Sequence, residues 1–409
     1  MLLEFKTKNY KSFVEEASFS MVAAPKQKGL DYSLMKTKIK GKEIKGLSSS
    51  VIYGPNAAGK TNIIGAMDVL RAIVLRGNIR NSEEKSSPNP AAAALELIPN
   101  NNEMESKPVC FEIEFYEEDG EDHKFKIHYE LEVDLGTFLE EEYQRKILAE
   151  VLEVNGERVF ERTQDLKIEN LKIIKDYLSD ITEQNADSVN EIAKNSLNQE
   201  ELFLTNGFKL IFSPKFTKLI VDWFTNKFMV IYRADSMQLI KRFADPKKKA
   251  IYVEKTTDEA AKLFGINSNA VGYVVSDDEP DAKLYSVFKN MKNKKTTAVA
   301  ADIFESYGTI RFINMFPLVI KAMQTGGTLV VDEFDASIHP MALMSIINVF
   351  HNDDVNIHHA QLIFNTHNPI FLNSNLFRRD EIKFVERDDD THDSVLYALS
   401  DFGTTGDKG

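Results

Sequence analysis

The chain has 409 residues, of which 43% are hydrophobic and 28% are charged, and this is the composition of a soluble globular protein. This length is too great for one ordinary hydrophobic core, so it predicts two or three domains, or one core with an insertion. The net charge of −13 excludes a surface that is basic all over, and any contact with DNA must therefore use a local patch or a basic partner.

Two features of the sequence indicate the compartment. The only cysteine, Cys110, cannot form an internal disulfide, and residues 1–10 lack the apolar core of a signal peptide. The longest apolar run, residues 312–320, contains Asn314 and Pro317 and is too short to cross a bilayer. We therefore expect a cytoplasmic protein without a membrane anchor.

The first predicted elements lead into a phosphate-binding pattern. Residues 2–13 predict an edge strand followed by a turn, and residues 16–21 can pair with that strand. Residues 51–61, VIYGPNAAGKT, then match G-x-x-x-x-G-K-[ST] in full. An apolar strand precedes this loop and a segment with helical spacing, residues 62–79, follows it. Strand, loop and helix form the setting that a P-loop requires, which disfavours a simple glycine-rich turn with a stray lysine.

The chemistry of the loop follows from its residue types. Gly54 and Gly59 allow backbone N–H groups to turn inward around phosphate oxygens, and the helix N-terminus adds a favourable dipole. Lys60 would reach the β- and γ-phosphates of a nucleotide, and the Thr61 hydroxyl would hold Mg²⁺. The residues predicted to bind ATP here are Gly54, Pro55, Asn56, Ala57, Ala58, Gly59, Lys60, Thr61 and Asn62.

The segments after this helix differ in character. Residues 109–116 and 124–133 alternate apolar with polar side chains and predict a hairpin, and Asn155-Gly156 predicts a type I′ turn between strands 147–154 and 158–162. Residues 81–102 predict a surface loop. We expect an N-terminal lobe over 1–163, a mostly helical insertion over 164–294 and a C-terminal lobe over 295–409. The basic cluster that starts at Lys292 is either a DNA contact or a plain surface loop.

The C-terminal lobe contains two apolar strands that end in polar residues. Residues 328–335, TLVVDEFD, have the form of a Walker B strand, so Asp332 can hold Mg²⁺ and Glu333 can polarise an attacking water. Residues 362–368, LIFNTHN, predict the second strand, which ends in polar residues that include His367. A helix between the two strands predicts a β-α-β unit that brings both strand ends to one edge of the sheet. His367, in isolation a candidate for a core histidine, is then within reach of a γ-phosphate.

A polar cluster upstream, residues 305–309, precedes the apolar helix that carries Arg311. Serine, glycine and threonine at a helix start form an anion site, because unpaired N–H groups and the dipole both favour negative charge. Ser306 or Thr309 can equally be a simple N-cap. Geometry alone leaves both interpretations open.

These motifs, in this order, resemble the ABC-type ATPases of the SMC, Rad50, RecF and OLD group, and within it the AbiLi-like AAA15 proteins of prokaryotic defence loci. The segments that carry the resemblance span nearly the whole chain: LLEFKTKNYKSF, GPNAAGKTN, ESYGTIRF, VVDEFDASIHP and FNTHNP. The resemblance implies an α/β fold of the P-loop NTPase class and ABC-ATPase type. The fold that the resemblance implies has a mixed sheet with an adjoining antiparallel β-subdomain.

The resemblance also implies roles for single residues. Asp332 would serve Mg²⁺, Glu333 would be the catalytic base and His367 the switch histidine. Ser306 and Gly308 would contact the γ-phosphate of ATP bound to a second subunit, which implies a homodimer or higher oligomer that sandwiches ATP.

Further roles implied by the resemblance concern the dimer interface and the nucleotide. Asp335 and Ser337 would lie in a D-loop that crosses the interface. Lys11, Ser12 and Phe13 are candidates for contacts to the nucleotide base or the α-phosphate.

The chain departs from the group's pattern in three places. Glu-Ser-Tyr-Gly-Thr stands where transporter-like proteins have Leu-Ser-Gly-Gly-Gln. No Q-loop is evident, since Gln144 follows a β-rich segment in an unclear context. Because the sequence ends at Gly409, we expect it to lack the TOPRIM nuclease domain of OLD-type proteins.

Three biological roles are consistent with the sequence. The first is the ATPase sensor of an anti-phage defence system that acts through a separate effector, a nuclease or toxin. The second is a DNA-repair ATPase that clamps DNA. The third is a nucleotide-dependent scaffold with little turnover.

Overall fold

The computed structural model describes residues 1–402 except 26, 28, 40, 81–94, 102–105, 121–122, 139, 141–142, 180–185, 196, 233–249, 253–269, 277–278, 290–295 and 337. The strands are β1 Leu2–Lys8, β2 Ala17–Ser20, β3 Leu34–Ile39, β4 Lys42–Leu47, β5 Ser49–Tyr53, β6 Val109–Asp119, β7 His123–Asp134, β8 Lys146–Val154, β9 Glu157–Arg162, β10 Leu166–Ile168, β11 Phe228–Ile231, β12 Ala250–Tyr252, β13 Ala270–Ser276, β14 Glu279–Lys289, β15 Thr296–Ala300, β16 Thr328–Val331, β17 Gln361–Asn365, β18 Ile382–Arg387 and β19 Ser394–Ala398. The helices are α1 Lys60–Arg76, α2 Ala186–Asn195, α3 Lys209–Ile211, α4 Pro214–Asp222, α5 Ala301–Phe304, α6 Tyr307–Thr325 and α7 Pro340–His351.

The central sheet has the strand order β11-β16-β17-β5-β18-β19. Its first five strands are parallel and β19 is antiparallel to β18. All residues of β5, β16 and β17 are buried, as expected for parallel strands that are covered on both faces. The carboxyl ends of these three strands therefore meet at one edge of the sheet, and the predicted β-α-β unit of β16, α7 and β17 is confirmed.

Residues that alternate along β5 enter two different cores. Ile52 packs with α1 and the antiparallel sheet in the larger core, whereas Val51 and Tyr53 pack with α6 and α7 in the other. The period of two in a strand has this effect, because successive side chains point to opposite faces. The central sheet is thus held between α1 on one face and α6 with α7 on the other.

The second sheet is antiparallel, with the order β10-β9-β8-β7-β6-β1-β2. It confirms the predicted pairing of β1 with β2 and the predicted hairpin of β6 with β7. The prediction of β1 as an edge strand is wrong, because β1 also pairs with β6 and the edge strand is β2. Asn155 and Gly156 connect β8 to β9 with φ angles of 54° and 80°, both positive as a type I′ turn requires. This sheet adjoins the P-loop region through the larger core and is the antiparallel subdomain that the sequence predicts.

The segment predicted as a mostly helical insertion contains strands as well as helices. Among its described residues, α2, α3 and α4 are helical, but β11 belongs to the central sheet and pairs with β16. Residues 221–229 have helical spacing, yet the helical turn Trp223–Lys227 ends where β11 begins. Residues 228–231 form a strand because they pair with β16, and a short apolar run suits a buried strand as well as a helix. The lobe boundaries at 163 and 294 stay a prediction.

Several predicted features lie outside the described residues: most of the loop 81–102, the basic cluster 292–295 and Ser337. Among the residues that the structure does describe, no helix has both the length and the apolar character needed to cross a membrane.

Candidate nucleotide-binding site

The loop between β5 and α1 adopts a conformation that its glycines permit. Gly54 and Gly59 have φ angles of 158° and 109°, and a Cβ atom on Gly54 would lie 2.2 Å from the carbonyl oxygen of Val385. Only glycine fits there, because that backbone atom of β18 cannot move aside. The glycines therefore allow the tight turn that leads into the N-terminus of α1, which is the setting of a phosphate cradle.

A cavity of about 200 Å³ opens over this loop at the carboxyl edge of the central sheet. It brings together the predicted P-loop with the ends of β16 and β17. Its lining residues are Asn56, Ala57, Ala58, Gly59, Lys60, Thr61, Asn62, Glu333, Asn365 and His367. Predicted site residues that lie far apart in the sequence are thus neighbours in space.

Lys60 is held against the loop itself. Its Nζ donates to the carbonyl oxygens of Gly54 at 2.7 Å and Pro55 at 2.8 Å. Burial lowers the pKa of Lys60, and the carboxylates of Asp332 and Glu333 oppose that shift. A partly desolvated ammonium in a cavity is a strong partner for phosphate oxygens, because little water competes with them.

The predicted Mg²⁺ ligands are in contact with each other. Thr61 Oγ1, at the start of α1, donates to Asp332 Oδ1, at the end of β16, over 3.1 Å. Asp332 is buried. A hydroxyl and a carboxylate beside a phosphate cradle are the hard oxygen donors that Mg²⁺ accepts, so the residues present fit this ion.

Glu333 follows Asp332 in a left-handed backbone conformation with φ of 50°. Its N–H donates to Asn365 Oδ1 at 2.5 Å, and Asn365 Nδ2 donates to Asp332 Oδ1 at 2.5 Å. The carbonyl oxygen of Glu333 accepts from Arg311 Nη2. Neither Asn365 nor Arg311 has a predicted role, although Asn365 lies in the predicted strand 362–368 and Arg311 lies on the predicted apolar helix.

His367 lines the cavity and is exposed. The residue before it fixes the turn: Thr366 Oγ1 donates to Asp335 Oδ2 at 2.6 Å and accepts from the N–H of Asn368 at 2.9 Å. Asp335, predicted to lie at a dimer interface, is therefore bound within its own chain.

Ser306 and Gly308 do not line the cavity formed by the described residues of their own chain. Ser306 is the N-cap of α6, where its Oγ accepts from the N–H of Thr309 at 3.1 Å, and it is exposed. The N-cap role is thus present, and the contact with ATP of another subunit stays a prediction. Gln144 lies before β8 in the antiparallel sheet and does not line the cavity either.

The turn after β1 supports the P-loop from outside the cavity. Asn62 Nδ2 donates to Ser12 Oγ at 2.7 Å, and the Ser12 carbonyl accepts from Ser394 N at 2.7 Å. Ser394 Oγ in turn donates to the carbonyl of Ala58 at 2.7 Å. The sequence prediction misses Ser394, because only the packing of the β18-β19 hairpin brings it to the loop.

The other two residues of this turn do not reach the cavity. Lys11 Nζ donates to Glu96 Oε2 at 2.7 Å and to the Tyr232 hydroxyl at 3.0 Å. Phe13 has no exposed surface and packs in the larger core. The predicted contact of Phe13 with a nucleotide base is therefore wrong, since an apolar ring in this position gains more from burial in the core.

Replacing Gly59 with alanine is expected to lower the free energy of unfolding by more than backbone strain alone would. The new Cβ would lie 2.6 Å from Ser394 Oγ and 2.8 Å from Ser12 Oγ. Gly156→Ala is the matched control, because φ is also positive there and no atom lies within 4 Å. We expect the control to lose about 1–2 kcal/mol of unfolding free energy and Gly59→Ala to lose more. Chemical denaturation measures both, and equal losses would contradict the proposed packing.

Comparisons with known proteins agree with this geometry. The family model described as "AAA domain, putative AbiEii toxin, Type IV TA system" matches residues 49–373. No curated protein matches the chain.

Solved structures of low sequence identity also match. The SMC head domain from Thermotoga maritima is 15% identical, covers 97% of this chain and 98% of its own, and has a TM-score of 0.39. The SmcHead bound to the C-winged helix domain of ScpA is 12% identical, with coverages of 98% and 99% and a TM-score of 0.42. The Smc head domain bound to the C-terminal domain of ScpA derived from Pyrococcus furiosus is 12% identical, with coverages of 98% and 97% and a TM-score of 0.42.

The matched segment runs from the first residue of β5 to beyond His367, so it contains the P-loop, the Walker B strand and the histidine. The AAA-domain match confirms the predicted fold class, an α/β fold of the P-loop NTPase class, and the relationship to the SMC, Rad50, RecF and OLD group stays a prediction. The chain belongs to the family of AAA domains described as putative AbiEii toxins of type IV toxin–antitoxin systems.

Proposed function

We propose that this protein is a Mg²⁺-dependent ATPase whose two subunits enclose two ATP molecules and separate when ATP is hydrolysed. The observation that carries the proposal is the cavity that joins the P-loop to Glu333, with Asp332 hydrogen-bonded to Thr61 beside it. A nucleoside triphosphate needs these three things together: a cradle of N–H groups, a hydroxyl–carboxylate pair for a metal ion, and a base near the γ-phosphate.

Each residue has a defined task in this proposal. Lys60 binds the β- and γ-phosphates, and Thr61 and Asp332 would hold Mg²⁺, which would supply positive charge next to the phosphates. Glu333 accepts a proton from the water that attacks the γ-phosphorus, so that ADP and inorganic phosphate are formed. His367 contacts the γ-phosphate side of the cavity. The rate enhancement comes mainly from positioning and from neutralised charge.

Ser306 and Gly308 are proposed to complete the site of the second subunit. The exposed position of Ser306 at the start of α6 supports this, since an N-terminus that does not line its own cavity is free to contact another chain. Three large apolar side chains around it are also exposed: Ile303 at 77%, Phe304 at 53% and Tyr307 at 54%. Exposed apolar side chains that lie next to one another support the proposal that a partner covers this surface.

A mixing experiment tests the shared site. Ser306→Arg would place a bulky side chain against the ATP of the partner, and Lys60→Ala would disable the P-loop of its own chain. We expect each variant alone to have little ATPase activity and their equimolar mixture to regain activity, because one subunit pair then holds one intact site. Phosphate release at a fixed total protein concentration measures it. A mixture no more active than its components would mean that Ser306 does not act on the partner's ATP.

We further propose that the switch is the sensor of an anti-phage defence system in the cytoplasm and acts through a separate effector, a nuclease or toxin. The family description, which names a putative toxin of a toxin–antitoxin system, supports a defence role. Co-purification of the chain with the product of the neighbouring gene, with and without ATP, tests the proposal. Tight and salt-sensitive DNA binding without such a partner would instead favour a DNA-clamping ATPase.

A further inference from the structure

We propose that Arg311 and Asn365 are positioning residues that bind the backbone of Glu333, Arg311 at its carbonyl oxygen and Asn365 at its N–H group, and thereby set the direction of its carboxylate. We call these two contacts the clamp. The proposal rests on the proposed ATPase function, in which Glu333 is the base. Neither residue needs to touch ATP, because each acts on the backbone of Glu333.

The backbone of Glu333 is the reason a clamp is needed. Its φ of 50° lies in the left-handed region, which costs a residue with a Cβ roughly 1–2 kcal/mol. Such a conformation persists only where the surroundings over-determine it. In the extended conformation of β16 the next side chain would point in a different direction, so the left-handed residue decides where the carboxylate goes.

The N–H side of the clamp comes from β17. Asn365 is the last residue of this strand, and its side chain is buried. Its Oδ1 accepts from Glu333 N at 2.5 Å, while its Nδ2 donates to Asp332 Oδ1 at 2.5 Å. One amide thus binds the backbone of the proposed base and the carboxylate of the proposed Mg²⁺ ligand. Because both ends are used, the amide fixes the position of Glu333 relative to Asp332.

The carbonyl side of the clamp comes from α6. Arg311 Nη2 donates to the carbonyl oxygen of Glu333 and also lies 3.4 Å from that of Asp332. The side chain is 3% exposed, and its Nε has no hydrogen-bond partner among the described residues. No carboxylate in the described part of the chain forms an ion pair with it. A buried guanidinium is costly, and here its hydrogen bonds go to the two carbonyls that follow β16.

The two residues of the clamp lie on different secondary-structure elements. Asn365 sits on a strand in the middle of the sheet, which is a rigid support. Arg311 lies on α6, about 1.4 turns after Ser306. A change in the position of the α6 N-terminus, where we propose the partner's ATP binds, would therefore reach Glu333 through Arg311. The clamp makes the competence of Glu333 depend on the subunit interface.

A double-mutant cycle tests the clamp. Arg311→Met is expected to lower kcat at least tenfold with little change in KM, since a misplacement of about 1 Å can cost about 10²-fold. In a Glu333→Gln background the same substitution is expected to change the residual turnover less than about twofold, because that variant has no carboxylate base whose displacement could slow the reaction. Arg311→Lys keeps the charge and one donor and should be intermediate.

Asn365→Ala supplies the second arm, with Asn356→Ala as its matched control. Asn356 is also buried, and it binds the backbone of Phe350 and Ala360 at the other end of β17, away from the cavity. Thermal unfolding of every variant corrects the rates for loss of folded protein. We expect Asn365→Ala to lose turnover beyond this correction and Asn356→Ala to lose none beyond it.

Hydrogen exchange separates failure of the clamp from failure of the proposed function. In the wild type we expect slow exchange in a peptide spanning residues 328–336, and faster exchange in folded Arg311→Met or Asn365→Ala, with no nucleotide present. Unchanged exchange together with a kcat within about twofold of an active wild type would overturn the clamp. A wild type with slow exchange that does not hydrolyse ATP would overturn the proposed function and with it the role of the clamp in catalysis.

Discussion

Replacing Glu333 with glutamine is expected to stop ATP turnover while ATP remains bound, so that the chain accumulates as a dimer or higher oligomer. The amide keeps the size and hydrogen-bonding reach of the side chain, and it lines the same cavity over the P-loop. It cannot accept the proton of the attacking water, and loss of a general base costs about 10²–10⁴-fold in rate. In the proposed dimer, ATP that is not hydrolysed would keep its contacts with both subunits.

Two measurements check this result. Phosphate release gives the turnover, and size-exclusion chromatography with light scattering gives the mass with and without Mg-ATP. Glu15→Gln is a suitable control, because the Glu15 side chain is 84% exposed on the turn after β1. If Glu333→Gln hydrolyses ATP like the control, Glu333 is not the base. If the wild type binds ATP and assembles but does not hydrolyse it, the protein is a nucleotide-dependent scaffold.

Lys60→Ala has the second large expected effect, which is the loss of nucleotide binding. Lys60 is the cation that lines the described cavity, and it carries two hydrogen bonds that phosphate oxygens can replace. Hydrogen bonds to a charged group contribute about 1.5–3 kcal/mol each, so losing two of them predicts an affinity at least about a hundredfold lower. Burial lowers the pKa of this lysine, so the protein without nucleotide holds the ammonium at a cost. We therefore expect the unliganded Lys60→Ala protein to unfold at nearly the wild-type temperature.

Lys383→Met is the matched control for a buried lysine. Lys383 Nζ donates to the Asp380 carbonyl at 2.7 Å, and burial lowers its pKa to about 8. It does not line the nucleotide cavity. Isothermal titration with Mg-ATP should give wild-type affinity for this control and none for Lys60→Ala. Retained affinity in Lys60→Ala would mean that the nucleotide binds elsewhere.

The parts of the site that the sequence predicts are those whose residues are close along the chain. The P-loop is a run of eight positions with a fixed spacing, and the strand and helix around it have their own periods. The same holds for the turn at Asn155-Gly156, where the residue types by themselves require positive φ. Asp332 and Glu333 are identified because an apolar strand that ends in two acids is also a local pattern.

The parts that the sequence misses depend on contacts between distant residues. Asn365 lies 33 positions from Asp332, Arg311 lies 22 positions from Glu333 and Ser394 lies 336 positions from Ala58. An asparagine at the end of a strand has the same local signature whether it holds a catalytic backbone or faces solvent. Only strand order places Asn365 between Asp332 and Glu333.

Phe13 and β11 show the same limit in the fold. The pattern of residues 2–13 predicts that Phe13 lies on a turn. It does not predict whether this apolar side chain points to a ligand or to the core. The run Phe228–Ile231 is compatible with a helix or a strand, and pairing with β16 decides it.

The local sequence therefore supplies the groups on which the proposed chemistry depends: a cradle for phosphates, oxygen ligands for Mg²⁺, a carboxylate base and a histidine. Spacing alone is enough for this, because each group belongs to one short strand–loop unit. The tertiary structure sets how these groups are held. The parallel order of β16, β17 and β5 brings the three strand ends to one edge, and α6 packs against that edge so that Arg311 reaches Glu333. Side chains that act on another residue's backbone acquire their role only when the sheet is assembled.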